Sequence, residues 1–298
     1  MTRTLRLGTR GSRLALIQSD LVAQRLRAAG RDVELVRIVT EGDLRPVDVA
    51  IGDGIFVAAL ATALRRGEID LAVHSAKDVP IDDELDLLIG AYPERADARD
   101  VLVTRAGGAS LNGLAEGAVV GTDSPRRGGF LRAARSDLRV VPLHGNVDTR
   151  LRRLDDGEVD ALVLAAAGLD RLGRGDRVDA RFEPEVVAPA PGQGALAIQA
   201  RGSDSEVLEI LASIDSQDVR LCVESERAVL AATGGGCRAP VGALATVAGG
   251  RLSLFAAAVT PDGGTRHSLT LVGSATASAG RSLAAEAGVA LLARVELQ

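Results

Sequence analysis

Short apolar runs of strand length alternate along this chain with longer stretches of helical period, and this alternation constrains the fold more than any other feature. Thr4 to Leu7, Val33 to Val39, Leu71 to Val73 and Leu87 to Ala91 read as strands. A helix is expected from about Arg13 to Ala29, with Ser12 as its N-cap, Gly30 beyond its end, and Leu14, Ile17, Leu21 and Leu26 on one face. A second helix is expected from about Phe56 to Arg66, after a polar stretch from Glu41 to Gly54 that is long enough to act as a lid. Strands and helices in this order predict a mostly parallel sheet covered by helices.

Around Pro93 to Asp100 the pattern breaks and a second series begins: strand Val101 to Thr104, a helix near Leu111, then strands Ala118 to Gly121, Val140 to Leu143 and Asp160 to Leu164. The loop Pro189-Ala190-Pro191-Gly192-Gln193-Gly194 reads as a crossover that returns the chain to its first sheet at Ala195 to Gln199. The first domain is therefore expected to be discontinuous, 1–94 with 195–214, and the second to span 95–194. Two doubly wound α/β lobes joined by two crossings form a hinged cleft, resembling two-lobed ligand-binding proteins, with Gln193 at the hinge. Beyond about Ser216, a helix from Asp218 to Ala232, strands near 241–248, 252–259 and 268–272, and a helix over 277–293 predict a small α+β third domain, 215–298.

Composition narrows the function. Aromatic residues are only 2% of the chain and the net charge is −5, which argues against a base-stacking or phosphate-tracking surface and so against nucleic acid. Arg3, Arg6, Arg10 and Arg13 are followed by no unbroken apolar stretch, so neither a secretory signal nor a membrane span is drawn and a cytoplasmic protein is expected; separately, a monomer without a metal site is expected. Any anion site must be a local cluster of Arg.

Leu71 to Pro80, LAVHSAKDVP, carries the most pointed chemistry. Lys77 is the only lysine among 35 basic residues, and it stands beside Asp78 in a turn at the C-terminal end of a strand, where open α/β sheets place ligands. A carboxylate beside a fixed cation stays ionised and suits the stabilisation of developing positive charge. The alternative is a turn in which Asp caps backbone N–H groups and Lys lies in water.

Three further turns carry donors. Gly8-Thr9-Arg10-Gly11-Ser12 leads from a strand into a capped helix and suits an anion, although such turns also merely join strand to helix. In Thr122-Asp123-Ser124-Pro125-Arg126-Arg127, Ser124 reads as the N-cap and Pro125 as the first helical residue. Arg126 and Arg127 then sit in the first helical turn, against the macrodipole, where a negative ligand would offset them. His144-Gly145-Asn146 precedes a short helix with Arg150, Arg152 and Arg153, and Arg171 follows another strand. Cys222 lies on an apolar helical stripe and reads as a core thiol. Cys237, after Gly234-Gly235-Gly236 and before Arg238, reads as an exposed thiol of the nucleophilic kind.

Seven blocks, GTRGSRLAL (8–16), AVHSAKDVP (72–80), GTDSPRR (121–127), HGNVDTRL (144–151), LAAAGLDRLG (164–173), PGQGA (191–195) and GGGC (234–237), occur in the order and spacing of one family. Together they resemble the porphobilinogen deaminases, also called hydroxymethylbilane synthases. The resemblance implies a transferase of tetrapyrrole biosynthesis that condenses four porphobilinogen molecules head to tail, each losing ammonia, on a dipyrromethane cofactor held by a thioether to Cys237. It implies that Asp78 is the catalytic carboxylate, assisting the departure of ammonia. It also implies that Arg10, Ser12, Ser75, Lys77, Thr122, Ser124, Arg126, Arg127, Asn146, Arg150, Arg171 and Gln193 bind the cofactor and growing chain. Asp53, Asp123 and His144 depart from the family's pattern, in which lysine, serine and arginine are usual, and no binding role is carried onto them. Two rival readings are a two-lobed anion binder without catalysis and an enzyme that uses Lys77 as a Schiff-base nucleophile.

Overall fold

The computed structural model describes residues 3–38, 55–81, 86–236 and 239–297. Two compact units result, Met1–Arg95 with Ala195–Arg220, and Ala96–Gly194 with Leu221–Gln298. In chain order the first passage contains β1 (Leu5–Thr9), α1 (Arg13–Ala28), β2 (Val33–Arg37), α2 (Ile55–Arg65), β3 (Leu71–Ser75) and β4 (Leu87–Ala91). The next contains β5 (Asp100–Thr104), β6 (Val119–Gly121), α3 (Pro125–Ala134), β7 (Arg139–Val141), α4 (Val147–Asp155), β8 (Ala161–Ala165), α5 (Ala166–Arg171) and β9 (Ala180–Arg181). Then follow β10 (Leu196–Arg201), α6 (Ser205–Ala212), α7 (Gln217–Ala232), β11 (Val241–Ala248), β12 (Arg251–Val259), β13 (Arg266–Ser274) and α8 (Ala277–Leu292).

The first unit holds a five-stranded sheet in the order β2-β1-β3-β10-β4, and the second holds one in the order β7-β6-β8-β5-β9. The mixed α/β class is as expected, and so is the C-terminal three-stranded antiparallel sheet β11-β12-β13 with its helix α8. Neither five-stranded sheet is wholly parallel. β10 runs antiparallel to β3 and β4, and β5 runs antiparallel to β8 and β9. These two are the strands that follow each crossing of the chain. An apolar run buried on both faces carries no mark of its direction, so the sequence pattern does not reveal this.

Helices cover both faces of each sheet. In the first unit Leu5, Leu7, Leu71 and Val73 pack with Val22 and Leu26 of α1 and with Val207 and Leu211 of α6. On the opposite face Ala72 meets Leu60 and Leu64 of α2. In the second unit Leu102, Val120 and Val163 pack with Phe130 of α3 and with Ala257 and Val259 of β12, so the C-terminal sheet shares that core. Gly129 permits the approach, because a Cβ there would lie 2.7 Å from Val259 Cγ1. Leu162 and Leu164 meet Leu151 and Leu154 of α4 on the other face.

Two local expectations change. The helix near Leu111 is a single 3-10 turn, Leu111–Gly113, since the glycine gives it no reason to propagate. The strand expected to reach Leu143 stops at Val141, because Pro142 has no N–H for the ladder. No helix among the described residues is long and apolar enough to cross a membrane.

Candidate active site

In the first unit β3 ends at Ser75 and runs directly into a 3-10 turn, Ala76–Asp78. Strand β10 lies alongside, with Leu196 opposite Ser75, and the Ala76 N–H donates to the Ala195 carbonyl at 3.0 Å. The turn is thus fixed at its base by the strand that returns from the second crossing. Asp78 is exposed and Lys77 half-buried. Gln18 of α1, itself buried, donates from Nε2 to Ser75 Oγ at 3.1 Å. That leaves the Ser75 hydroxyl hydrogen to be given elsewhere. Beneath the turn, His74 is buried with Nε2 3.2 Å from Gln199 Oε1, and burial pulls its pKa down to about 4. The ring is therefore neutral at pH 7. Ser12 caps α1 by accepting from the Ala15 N–H at 3.3 Å, and half-buried Arg10 precedes it.

The second unit gathers the Arg side chains. Ser124 caps α3, accepting the Arg127 N–H at 3.3 Å, with Pro125 in the first turn. Thr122 is buried and its hydroxyl accepts the Ser124 N–H. Arg126 and Arg127 are buried as well, and their offsetting charge is supplied from within the chain. Asp100, fully buried at the start of β5, accepts Arg127 Nε and Nη2 at 3.0 and 2.7 Å and pairs with Arg126 Nη1 at 2.8 Å. A negative ligand is the expected counter-charge for these two side chains; the structure supplies one from Asp100. Arg126 also donates to the Ala188 carbonyl, and burial drives its pKa down. Gln193 is fully buried, donating from Nε2 to Asp100 Oδ1 at 2.9 Å and to the Ala98 carbonyl at 2.7 Å. Sequence reasoning missed Asp100. Its signal was an acid opening the otherwise apolar run DVLV.

Asn146 caps α4 through Oδ1, which accepts the Thr149 N–H at 2.9 Å. Arg150, one turn into that helix, places Nη2 3.2 Å from Asp123 Oδ2, and His144 Nδ1 lies 3.0 Å from the same oxygen. Two of the three positions at which the sequence departs from the resembled family are therefore in contact. Arg171, the last residue of α5, donates to the Gly194 carbonyl at 2.7 Å, and burial lowers its pKa. Cys222 is buried in α7, as expected of a core thiol. Cys237, Arg238 and Asp53 lie outside the described residues.

Four guanidinium and two amide side chains held in one α/β unit, and a turn carrying an acid at a strand end in the other, place this chain among mixed α/β proteins with a donor-rich lobe. Comparison with known proteins makes this specific. Residues 5–209 match the family described as "Porphobilinogen deaminase, dipyromethane cofactor binding domain", and residues 220–288 match "Porphobilinogen deaminase, C-terminal domain". The porphobilinogen deaminase of Acidothermus cellulolyticus is 49% identical over 292 residues, covering 95% of this chain and 88% of that one. That of Roseiflexus sp. (strain RS-1) is 50% identical over 260 residues, covering 85% of each. Among solved structures, the methionine-binding protein MetQ aligns over 71% of this chain and 89% of its own, with a TM-score of 0.46 and 15% identity. The chain belongs to the porphobilinogen deaminase family.

Proposed function

We propose that this chain is a transferase that condenses four porphobilinogen molecules head to tail, each losing ammonia, and that water then releases the linear tetrapyrrole as hydroxymethylbilane. The observation that carries this reading is the near-complete match of the chain to one family, together with the strand-end turn that presents Asp78. The dipyrromethane implied by the family fits the donor set. Its pyrroles carry acetate and propionate groups, and Arg150 Nε is shut from water with no acceptor in the structure. Arg126, Arg127, Arg150 and Arg171 would hold those carboxylates, with Thr122, Ser124 and Asn146 among them, and Gln193 would support them from beneath through Asp100. When bound, the dipyrromethane supplies the primer from which the chain grows, and Cys237 is its attachment point.

Asp78 acts on the reacting unit. Its carboxylate stabilises the positive charge that develops on the substrate carbon as ammonia leaves, and holds pyrrole N–H groups in line. Lys77, Ser75, Arg10 and Ser12 bind the carboxylates of the incoming molecule. Each addition brings two more negative charges, so the work of the Arg side chains grows with the chain. A charge-assisted hydrogen bond contributes roughly 1.5 to 3 kcal/mol, enough for the loss of one Arg to arrest growth at a particular length.

Three domains, bounded at 1–94 with 195–214, 95–194 and 215–298, belong to the same reading, as does a monomer in the cytoplasm with neither nucleic acid nor membrane as partner. The sparse aromatic content and the net charge of −5 support the exclusion of nucleic acid. Incubation with porphobilinogen tests the function. Four ammonia released per hydroxymethylbilane formed is the expected result. Binding of porphobilinogen without any ammonia release would leave only the non-catalytic binder, and borohydride trapping of a carbonyl substrate on Lys77 would favour the Schiff-base enzyme.

A further inference from the structure

Strands β6 and β7 are parallel neighbours, so the turns that follow them emerge at the same end of the sheet. One turn carries Asp123 and the other His144. Asp123 Oδ2 is shared by His144 Nδ1 at 3.0 Å and Arg150 Nη2 at 3.2 Å. The His144 carbonyl accepts from Arg153 Nη1 at 3.4 Å, which ties its turn to α4. Burial weighs most against the Arg150 charge, the nearby Arg127 and Arg153 add repulsion, and Asp123 favours it. Two polar atoms of this cluster, Arg150 Nε and Asp123 Oδ1, are shut from water and meet no partner. A buried donor such as Arg150 Nε is costly unless an acceptor meets it, which a ligand carboxylate can do, whereas Asp123 Oδ1 is an acceptor and takes a donor such as a pyrrole N–H.

We propose that Asp123 is a positioning residue for Arg150, locked in turn by His144, and that together they aim the guanidinium at a carboxylate of the growing pyrrole chain. This deepens the function proposed above and rests on it. A guanidinium is a planar fork, so fixing Nη2 on one carboxylate fixes the plane in which Nε and the remaining N–H groups can bind a second. His144 donates to Oδ2 as a neutral ring with its hydrogen on Nδ1, or as the cation, so the lock does not depend on its charge. Without the carboxylate, Arg127, Arg150 and Arg153 face one another with one counter-charge fewer, and Arg150 turns toward water. Asp123 and His144 therefore work as one unit, although each alone departs from the family's pattern.

The test compares wild type with Asp123→Asn, Asp123→Glu, Arg150→Ala and the Asp123→Asn/Arg150→Ala double variant. Asp123→Asn should lower kcat/KM for porphobilinogen by about tenfold, and Asp123→Glu, which keeps the charge, should recover most of that loss. The double variant should be no worse than Arg150→Ala alone, because Asp123 acts through Arg150. A readout independent of turnover is the reaction of the Arg150 peptide with phenylglyoxal, which should be faster in Asp123→Asn than in wild type. Losses that multiply in the double variant, or unchanged Arg150 reactivity in Asp123→Asn, overturn the proposal. A wild-type chain that consumes no porphobilinogen in the same assay overturns the functional reading on which it rests, a different result from either of these.

Discussion

Arg127 donates to Asp100 from both Nε and Nη2, at 3.0 and 2.7 Å, with both side chains buried. This carboxylate also holds Arg126 and Gln193, so one acid on β5 organises three of the side chains assigned to the pyrrole chain. Asp100→Asn keeps the shape and removes the charge, leaving two buried guanidinium groups without their counter-ion. The variant should lose about 3–5 kcal/mol of stability, read as a lowered urea midpoint. An unchanged midpoint would mean that the pairing contributes nothing to folding.

Asp78→Asn should behave in the opposite way. The side chain is exposed on its turn, and the turn is held by backbone bonds to Ala195 and by the strand pairing of Ser75. The variant should unfold at the wild-type temperature while its turnover of porphobilinogen falls nearly to zero. Normal turnover would remove Asp78 from the mechanism.

His74 gives the first unit a pH dependence of known sign. Its pKa is about 4 when folded, against 6.5 in the unfolded chain, so the unfolded state takes up the proton first. The neutral ring's stability is fully present above about pH 6.5 and is lost as pH falls toward 4, a change of about 3 kcal/mol. His74→Gln should flatten this part of the stability curve in denaturant titrations between pH 7 and pH 4. The same slope in both proteins would assign it to groups other than His74; Asp70, whose carboxyl is held below the usual range by Arg6 and Arg201 against the cost of its burial, loses its contribution only below about pH 4.

Gly194 occupies the left-handed region, with φ +88°, and a Cβ there would run into the Ala96 carbonyl oxygen. Its own carbonyl receives Arg171 Nη2 and the Ala96 N–H. Gly194→Ala should therefore cost about 2–4 kcal/mol, measured by thermal unfolding, and should weaken retention of the pyrrole chain by displacing Arg171. Wild-type stability in this variant would show that the loop adjusts freely.

What the sequence made legible was local. Ser12, Ser124 and Asn146 were placed at or beside helix starts from residue type and spacing, and each caps its helix. The burial of Cys222 followed from the helical stripe. What it hid was pairing over distance. Arg126 and Arg127 at a helix start pointed to a negative ligand, and nothing in the local pattern pointed to Asp100, which opens a strand distant in sequence. Likewise, no spacing rule joins Asp123 to His144, since that contact exists only because β6 and β7 are neighbours. The antiparallel courses of β5 and β10 were hidden for the same reason: pairing direction is a property of the sheet, whereas the apolar run is a property of the segment.

The central claim is that this chain builds its product on a primer tethered to Cys237, and intact mass of the purified protein tests it most directly. Wild type and Cys222→Ser should both weigh two pyrrole units more than their sequences, and Cys237→Ser should weigh what its sequence dictates. A wild-type chain at its bare sequence mass, or an adduct that survives in Cys237→Ser, would contradict the account.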